Sequence, residues 1–286
     1  MTDLQKRIVS YYDNTWLDYR VLWINKKDRA LHFGYYDTFK ESHSEALEKM
    51  NQVMAGEVDI KPSDMLLDAG CGQGGSALWL AKHIGCTVKG VTLVPHQAAV
   101  ANREANERGL NDKAQFSVQD YANTNFEDES FSVIWACESL CHAPSKKSFY
   151  DEAFRLLKPG GRLIVAEYIR YRRDYPTKDE AILQDWCSGW SMPDLDTWSE
   201  HQRHLIESGF TSINEKDITK HVTPSLHRLF RMSKTLLKMG KFLNFTKIRN
   251  DIKHHNQLAS MSQYEALTKN LWYYCIYSAA KPIVPS

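Results

Sequence analysis

The stretch Met65-Leu66-Leu67-Asp68-Ala69-Gly70-Cys71-Gly72-Gln73-Gly74-Gly75 decides the fold. A short apolar run that ends at an acid and a glycine cluster is typical of a buried strand that turns into a helix. A helix is predicted over 75–84, so the glycines fall at the carboxyl end of a strand, where an α/β sheet opens its ligand crevice. Glycine tolerates positive φ, and the N–H groups of a helix N-terminus suit a carboxylate or phosphate.

Strands and helices alternate on the C-terminal side of this loop. The pattern predicts strands at 86–92, 114–119, 131–136 and 162–168. It also predicts helices at 95–109 and 146–157, the first ending at Gly109 as a C-cap. Short continuous apolar strands between helices favour a buried parallel sheet. The expected fold class is therefore α/β, with a Rossmann-like, doubly wound, mostly parallel sheet.

Both ends of the chain depart from this alternation. Residues 5–25 and 42–54 have helical spacing, as do 178–209 and 219–270, and Trp272–Tyr277 reads as an antiparallel strand at the sheet edge. We expect four parts, which are a helical arm over 1–60 that covers the cofactor, a core over 61–170, a helical substrate lid with one strand over 171–270, and a final edge strand and tail over 271–286.

Composition narrows the function classes. The 286 residues carry a net charge of +1, which gives no general attraction to nucleic acid. No apolar run approaches the roughly 18 residues of a membrane span, and the N-terminus does not resemble a secretory signal. The six cysteines form no Cys-x-x-Cys pair and have no zinc spacing with histidine. We expect a cytoplasmic enzyme with reduced thiols and no metal site.

The glycine loop admits two cofactor interpretations. Gly70-x-Gly72-x-x-Gly75 also fits the dinucleotide fingerprint, which requires an acid about 20 residues further on for the ribose. The chain has no acid in Val88–Thr92. Asp68, in contrast, is placed to meet the amino group of a zwitterionic ligand. A nicotinamide dehydrogenase is therefore disfavoured.

Over 64–168 the chain resembles class I S-adenosylmethionine-dependent methyltransferases. Asp68, Gly70, Gly72 and Gly74 match the Asp-x-Gly-x-Gly loop that cradles the methionine half of the cofactor in that class. Gly90-Val91-Thr92-Leu93-x-x-x-Gln97 resembles the tocopherol, sterol, cyclopropane-fatty-acid and prenyl-diphosphate C-methyltransferase subgroup. The resemblance implies S-adenosyl-L-methionine as cofactor. It implies further cofactor contacts by Thr92, Leu93, Gln97, Asp120, Tyr121 and Cys137, with Asp120 accepting from the adenine amino group and Tyr121 flanking the ring.

Two candidate catalytic residues follow the fourth predicted strand. Glu138 and His142 lie on the crevice side of the sheet, where an acceptor would meet the methyl group. His142 suits a general base, since its ordinary pKa is about 6.5. Its alternative is a loop histidine bonded to backbone. In the resembling prenyl-diphosphate enzymes a matching glutamate faces a cationic intermediate, whereas elsewhere it shapes the cofactor pocket or is simply solvated.

Aromatic residues of the N-terminal arm are candidates for covering the sulfonium, since aromatic faces attract cations. An aromatic stripe more often reflects packing, so we expect only Tyr12, His32 and Tyr35 to contact the cofactor. In the lid, Trp186, Trp190 and Met192 are expected to line an apolar substrate pocket, with core packing as the alternative.

A basic segment lies in the lid. Residues 220–253 carry nine basic side chains and one acid. Its amphipathic part, 226–241, is either a solvated face or a site of peripheral membrane contact. Nucleic acid is not expected as a partner, because the rest of the chain has 27 basic and 34 acidic residues.

The sequence therefore predicts an enzyme that methylates O, N or C of a hydrophobic, natural-product-like or lipid-like small molecule. It leaves two alternatives open. One is C-methylation of an isoprenoid diphosphate or alkene, and the other is a catalytically silent cofactor-binding subunit.

Overall fold

The strand–loop–helix unit around the glycine cluster has the predicted form. A computed structural model describes residues 1–22, 28–38, 40–243 and 251–283. The strands are β1 (Met65–Ala69), β2 (Thr87–Thr92), β3 (Ala114–Val118), β4 (Phe131–Cys137), β5 (Leu157–Arg170), β6 (Thr211–Asp217) and β7 (Trp272–Ala280). The helices are α1 (Asp3–Leu22), α2 (His43–Glu57), α3 (Gly75–His83), α4 (Pro95–Glu107), α5 (Lys146–Leu156), α6 (Thr177–Gly189), α7 (Trp198–Glu207), α8 (Thr219–Leu243) and α9 (Asp251–Thr268).

The described strands form one seven-stranded sheet in the order β3-β2-β1-β4-β5-β7-β6. β1 to β5 are parallel, while β7 is antiparallel to β5 and β6 is antiparallel to β7. The strand order reverses between β1 and β4, which is where such sheets open their crevice. The predicted α/β class with an antiparallel edge is confirmed. The expectation that the last strand forms the edge is wrong, because β6 covers the outer side of β7.

The parallel strands β1, β2, β4 and β5 contribute side chains to both layers of the core. Leu66 and Val133 face one hydrophobic cluster, whereas their neighbours Leu67 and Ile134 face the other. The first cluster includes residues of α2, α3, α4, α6, α8 and α9, and the second includes residues of α5 and α7. This burial on both faces explains why β1, β4 and β5 read as largely apolar runs.

The helical cover above the crevice is formed by α1, α8, α9 and the segment 28–36 between α1 and α2. In α8, Leu226 is buried in the core while Arg231 and Lys234 are exposed, so the apolar face of this basic helix packs inward. None of the described helices has the length and apolarity needed to cross a membrane. Peripheral membrane contact through 226–241 stays a prediction.

Candidate functional site

Two cavities meet at the glycine loop. The first, here the α1 cavity, has about 610 Å³ of empty space and is lined by α1 together with the ends of β2 and β3. The second, here the α8 cavity, has about 1130 Å³ and is lined by 29–33, the ends of β1 and β4, α8 and α9. Gly70, Gly72 and His142 line both cavities. The two therefore form one crevice above the switch point of the sheet.

The three predicted glycines have different local reasons to be glycine. All have positive φ, at 88° for Gly70, 52° for Gly72 and 83° for Gly74. An added Cβ would lie 2.3 Å from the Ser139 Cβ at Gly70, and 2.8 Å from the Phe116 ring at Gly74. At Gly72 it would meet only a Leu31 methyl, at 3.1 Å. Gly72 thus leaves its backbone open to the crevice, whereas Gly74 serves helix packing and is outside the described lining of either cavity.

Asp68 presents an acceptor at the floor of the α8 cavity. Its side chain is only 3% exposed, and its Oδ2 atom has no hydrogen-bond partner among the described residues. Burial disfavours the charged form and raises the pKa of the carboxyl to about 7. An ammonium group arriving from a ligand would supply the missing donor and favour the ionised form.

The α1 cavity contains the polar groups predicted at the ends of β2 and β3. The Thr92 hydroxyl donates to Gln97 Oε1 at 2.8 Å, and Leu93 lines the cavity beside them. Asp120 accepts from the Ala122 N–H through Oδ1 at 2.9 Å. Its Oδ2 atom accepts from the side-chain amide of Gln5, on α1, at 2.7 Å.

Tyr121 is fixed in the same cavity. Its hydroxyl donates to the Ser139 carbonyl at 2.9 Å, and its ring packs edge-on against Phe149. The phenol is thereby anchored to the loop after β4, which leaves the ring as the part that lines the cavity.

Glu138 is held by three donors at the base of the α8 cavity. Its Oε1 atom accepts from the Phe33 N–H at 2.6 Å and from the Tyr274 hydroxyl at 2.8 Å, and Oε2 accepts from the Tyr168 hydroxyl. Burial outweighs these hydrogen bonds and raises the pKa of the carboxyl to about 7. The backbone adopts φ of 51° here, an uncommon value for a residue other than glycine. Cys137, the residue that precedes Glu138 in the sequence, also lines the α8 cavity.

His142 and Tyr12 form a pair across the crevice. The Tyr12 oxygen lies 3.0 Å from His142 Nε2, and His142 Nδ1 faces the Ser191 carbonyl at 3.5 Å. A carbonyl only accepts, so Nδ1 carries the proton and Nε2 accepts from the Tyr12 hydroxyl. Burial lowers the pKa of His142 to about 4, so the imidazole is neutral.

The other two arm residues differ from each other. His32 is buried in the α8 cavity, with Nδ1 2.9 Å from the Phe33 carbonyl, and burial lowers its pKa. Tyr35 instead stacks on His221 at the start of α8, with ring centroids 4.1 Å apart, and lies outside the described lining of both cavities. The expectation that Tyr35 covers the cofactor is thus not met, because its ring serves to pack α8 against the arm.

Of the three predicted pocket residues in the lid, only Trp190 lines the α8 cavity. Trp186 is fully buried and packs against Tyr168, Trp190 and Trp272. Met192 is also in the core. The alternative of core packing therefore applies to Trp186 and Met192.

Sequence reasoning missed most of the lid side of this cavity. The missed lining residues are Leu229, Met232, Ser233 and Leu236 of α8 and Asn256, Gln257 and Ser260 of α9. For α8, the apolar face in the amphipathic pattern of 226–237 could have indicated these lining residues. No comparable signal marks α9, whose polar residues read as solvent-facing.

Comparison with known proteins agrees with this geometry. Residues 67–165 match the family model described as a methyltransferase domain. The 27-O-demethylrifamycin SV methyltransferase of Amycolatopsis mediterranei is 31% identical over 196 residues, 68% of this chain and 71% of that protein. The chloroplastic tocopherol O-methyltransferase of Arabidopsis thaliana is 30% identical over 252 residues, which are 81% of this chain and 70% of that protein.

A solved structure extends the similarity to nearly the whole chain. The geranyl diphosphate C-methyltransferase of Streptomyces coelicolor A3(2), in complex with Mg²⁺, geranyl diphosphate and S-adenosyl-L-homocysteine, superposes with a TM-score of 0.75 at 19% identity, over 98% of each chain. The chain belongs to the class I S-adenosylmethionine-dependent methyltransferases. It is an enzyme of that class and uses S-adenosylmethionine.

The residues present fit that cofactor. The unpartnered Oδ2 atom of buried Asp68 suits the ammonium of its methionine part, and the open backbone at Gly72 leaves room for close approach. The α1 cavity adds the polar groups of Gln97 and Asp120.

Proposed function

We propose that this enzyme methylates a hydrophobic, uncharged small molecule bound in the α8 cavity. The observation that carries the proposal is the shared lining of the crevice. Gly70, Gly72 and His142 join the α1 cavity to a larger cavity that is also lined by Leu229, Met232 and Leu236. Apolar walls with a few convergent polar groups are typical of small-molecule sites.

The α1 cavity and the glycine loop hold the cofactor in this proposal. Asp68 accepts from the ammonium and Gly72 offers its backbone to the methionine part. Thr92, Leu93 and Gln97 surround the ribose, while Asp120 accepts from the adenine amino group beside Tyr121. When bound, S-adenosylmethionine supplies an electrophilic methyl group on a positively charged sulfur.

Glu138 and the Tyr12–His142 pair act on the acceptor side. Glu138 would present a carboxylate in the α8 cavity, where its negative charge would offset the positive charge of the reacting groups. His142 Nε2 accepts from the Tyr12 hydroxyl, and this fixed pair positions the acceptor beside the methyl group. Trp190 and the α8 side chains exclude water and hold the apolar body of the acceptor.

One charge argues against a diphosphate acceptor. Arg29 is the guanidinium in the described lining of the α8 cavity, and it already forms a salt bridge with the nearly buried Glu104. Its charge is therefore neutralised before any ligand binds. This pairing favours an uncharged acceptor over an isoprenoid diphosphate.

The test is transfer of an isotope-labelled methyl group from S-adenosylmethionine to three acceptors, which are a lipophilic phenol, a sterol with a side-chain alkene and geranyl diphosphate. We expect label in an uncharged acceptor, detected by mass spectrometry, and much less label with the Gly72→Val variant at the same cofactor concentration. Label in geranyl diphosphate alone would contradict the proposed acceptor class. Cofactor binding without transfer to any of the three acceptors would also contradict the proposed acceptor class.

A further inference from the structure

His32 is held on the acceptor side of the crevice by the segment that carries it. The Gly34 N–H donates to Ser225 Oγ of α8 at 2.9 Å, and the Tyr36 N–H donates to the His221 carbonyl at 2.9 Å. At the other end the Phe33 N–H donates to Glu138 Oε1 at 2.6 Å. The segment that carries His32 is thus bonded to both α8 and Glu138, and His32 is in the lining of the α8 cavity and not in that of the α1 cavity.

The backbone fixes which nitrogen of His32 carries the proton. Nδ1 lies 2.9 Å from the Phe33 carbonyl, and a carbonyl only accepts, so Nδ1 is the donor. Nε2 then carries a lone pair. It is buried, and no described residue offers it a hydrogen bond. Burial also keeps the ring neutral.

The two imidazoles that the described residues place in this cavity therefore differ in availability. His142 Nε2 already accepts from the Tyr12 hydroxyl at 3.0 Å. His32 Nε2 has an empty acceptor position in a site where an unpaired polar atom is costly. A ligand that donates a hydrogen bond there, with an apolar body against Leu229 and Met232, would satisfy both the polar and the apolar parts of the wall.

We propose that His32 Nε2 accepts the proton of a hydroxyl group on the acceptor, which makes this enzyme an O-methyltransferase. The inference rests on the proposed function and names its acceptor atom. The hydroxyl oxygen forms the new bond to the methyl carbon as the carbon–sulfur bond breaks, and that electron pair stays on sulfur. The hydroxyl proton passes to His32 Nε2, giving an imidazolium that later releases it to water. His32 is then a catalytic residue, in contact with the reacting oxygen.

Binding of a matched pair of probes tests this assignment without turnover. The protein saturated with S-adenosylhomocysteine is titrated with 2-naphthol and with naphthalene, which lacks the hydroxyl. We expect 2-naphthol to bind about tenfold more tightly, as for one net hydrogen bond. In protein labelled with ¹⁵N-histidine, the His32 Nε2 resonance should shift with 2-naphthol and stay in place with naphthalene.

The variants His32→Phe and Tyr12→Phe provide the matched comparison. His32→Phe should abolish the preference for 2-naphthol while leaving the affinity for S-adenosylhomocysteine within about twofold, whereas Tyr12→Phe should retain the preference. If His32→Phe does not fold, the resonance of the wild-type protein decides alone.

Three results would overturn the inference. Equal binding of both probes with an unmoved Nε2 resonance rejects the role of His32 and leaves the proposed function intact. Loss of affinity for S-adenosylhomocysteine in His32→Phe, with the 2-naphthol preference unchanged, would show that Nε2 serves the cofactor. Failure of both probes to bind the saturated protein would contradict the hydrophobic acceptor itself.

Discussion

The cofactor half and the acceptor half of the crevice are built in different ways. The cofactor half is taken mainly from consecutive strand ends between Asp68 and Tyr121, with backbone geometry at Gly70 and Gly72 deciding how closely a ligand approaches. The acceptor half combines segments far apart in the chain, namely 29–33, the loop after β4, α8 and α9. One half is local in sequence, while the other exists only once the chain has folded.

This difference implies a division of labour. Backbone conformation and a single buried carboxylate suffice for a ligand that is the same in every enzyme of the class. Side chains on a helical cover determine what else enters, and they can vary without disturbing the sheet. Substitutions in the two halves should therefore separate cofactor affinity from turnover.

The largest difference between the effect on turnover and the effect on cofactor affinity is expected for substitutions in the acceptor half. His142→Ala should lower the turnover rate by roughly two powers of ten and leave S-adenosylhomocysteine affinity nearly unchanged, since loss of the Tyr12–His142 pair misplaces the acceptor. Glu138→Gln should be milder for an O-methyltransferase, because its main contribution is charge. For a carbon acceptor the order reverses, since a neutral amide cannot offset a developing carbocation.

Steady-state rates beside calorimetric affinities check this pattern. If both variants keep wild-type turnover, the groups that position the acceptor and supply the negative charge lie elsewhere in the crevice. A loss of cofactor affinity equal to the loss in rate would place these residues in the cofactor half instead.

Two glycines sharpen the comparison inside the cofactor half. Gly74→Val should lower the free energy of unfolding by about 2–5 kcal/mol, from positive-φ strain and the clash with Phe116. Gly72→Val has the positive-φ strain as well but meets only Leu31, so it should destabilise the fold less than Gly74→Val. It should also cause at least a roughly tenfold loss of S-adenosylhomocysteine affinity, as its side chain blocks close approach. Denaturant unfolding and calorimetry on both variants separate the two roles. Unchanged affinity in Gly72→Val argues against the loop as the cofactor site.

The same division explains what the sequence could predict. The alternation from β1 to β5 was predictable, because its signals lie within a few residues of each other. The polar residues at the ends of β2 and β3 were predictable from the resemblance to class I methyltransferases. The order of β6 and β7 in the sheet was not predictable, since no local signal decides which of the two antiparallel strands pairs with β5. Which side chains of the arm and lid line the cavity could be decided only from the tertiary structure. Trp186 and Trp190 lie one helical turn apart, and only packing against Trp272 decides which one enters the core.

The raised pKa of Asp68 predicts that cofactor affinity depends on pH. Its pKa is raised from 3.8 to about 7, so below pH 7 the unliganded protein holds a proton there. An ammonium pairs with the ionised form, and the proton must leave on binding. Affinity for S-adenosylhomocysteine should therefore fall as the pH drops from 8 to 5.5, by up to about tenfold per unit below 7.

The matched variants identify the titrating group. Asp68→Asn should bind about 10–100-fold more weakly at pH 8, as for loss of a hydrogen bond to a charged group, and should lose the pH dependence. Glu138→Gln should keep it, although the pKa of Glu138 is also raised to about 7. A slope that survives in Asp68→Asn and disappears in Glu138→Gln assigns the effect to the acceptor half.

The smallest expected effects lie where α1 touches the cofactor half. Asp120→Ala should weaken the binding of S-adenosylhomocysteine by about 1–3 kcal/mol, the cost of leaving a buried donor unpaired.

Gln5 already donates to Asp120 Oδ2 at 2.7 Å, so an adenine amino group must displace that amide or share the oxygen with it. Displacement predicts that Gln5→Ala strengthens binding slightly, by about 0.5–1 kcal/mol, because a competing hydrogen bond is removed. Calorimetry on Gln5→Ala, Asp120→Ala and the double variant decides between them. If the two ligands share the oxygen, Gln5→Ala leaves the affinity unchanged or weakens it. In the displacement case the gain from Gln5→Ala vanishes once Asp120 is alanine, since the amide then has nothing to compete for.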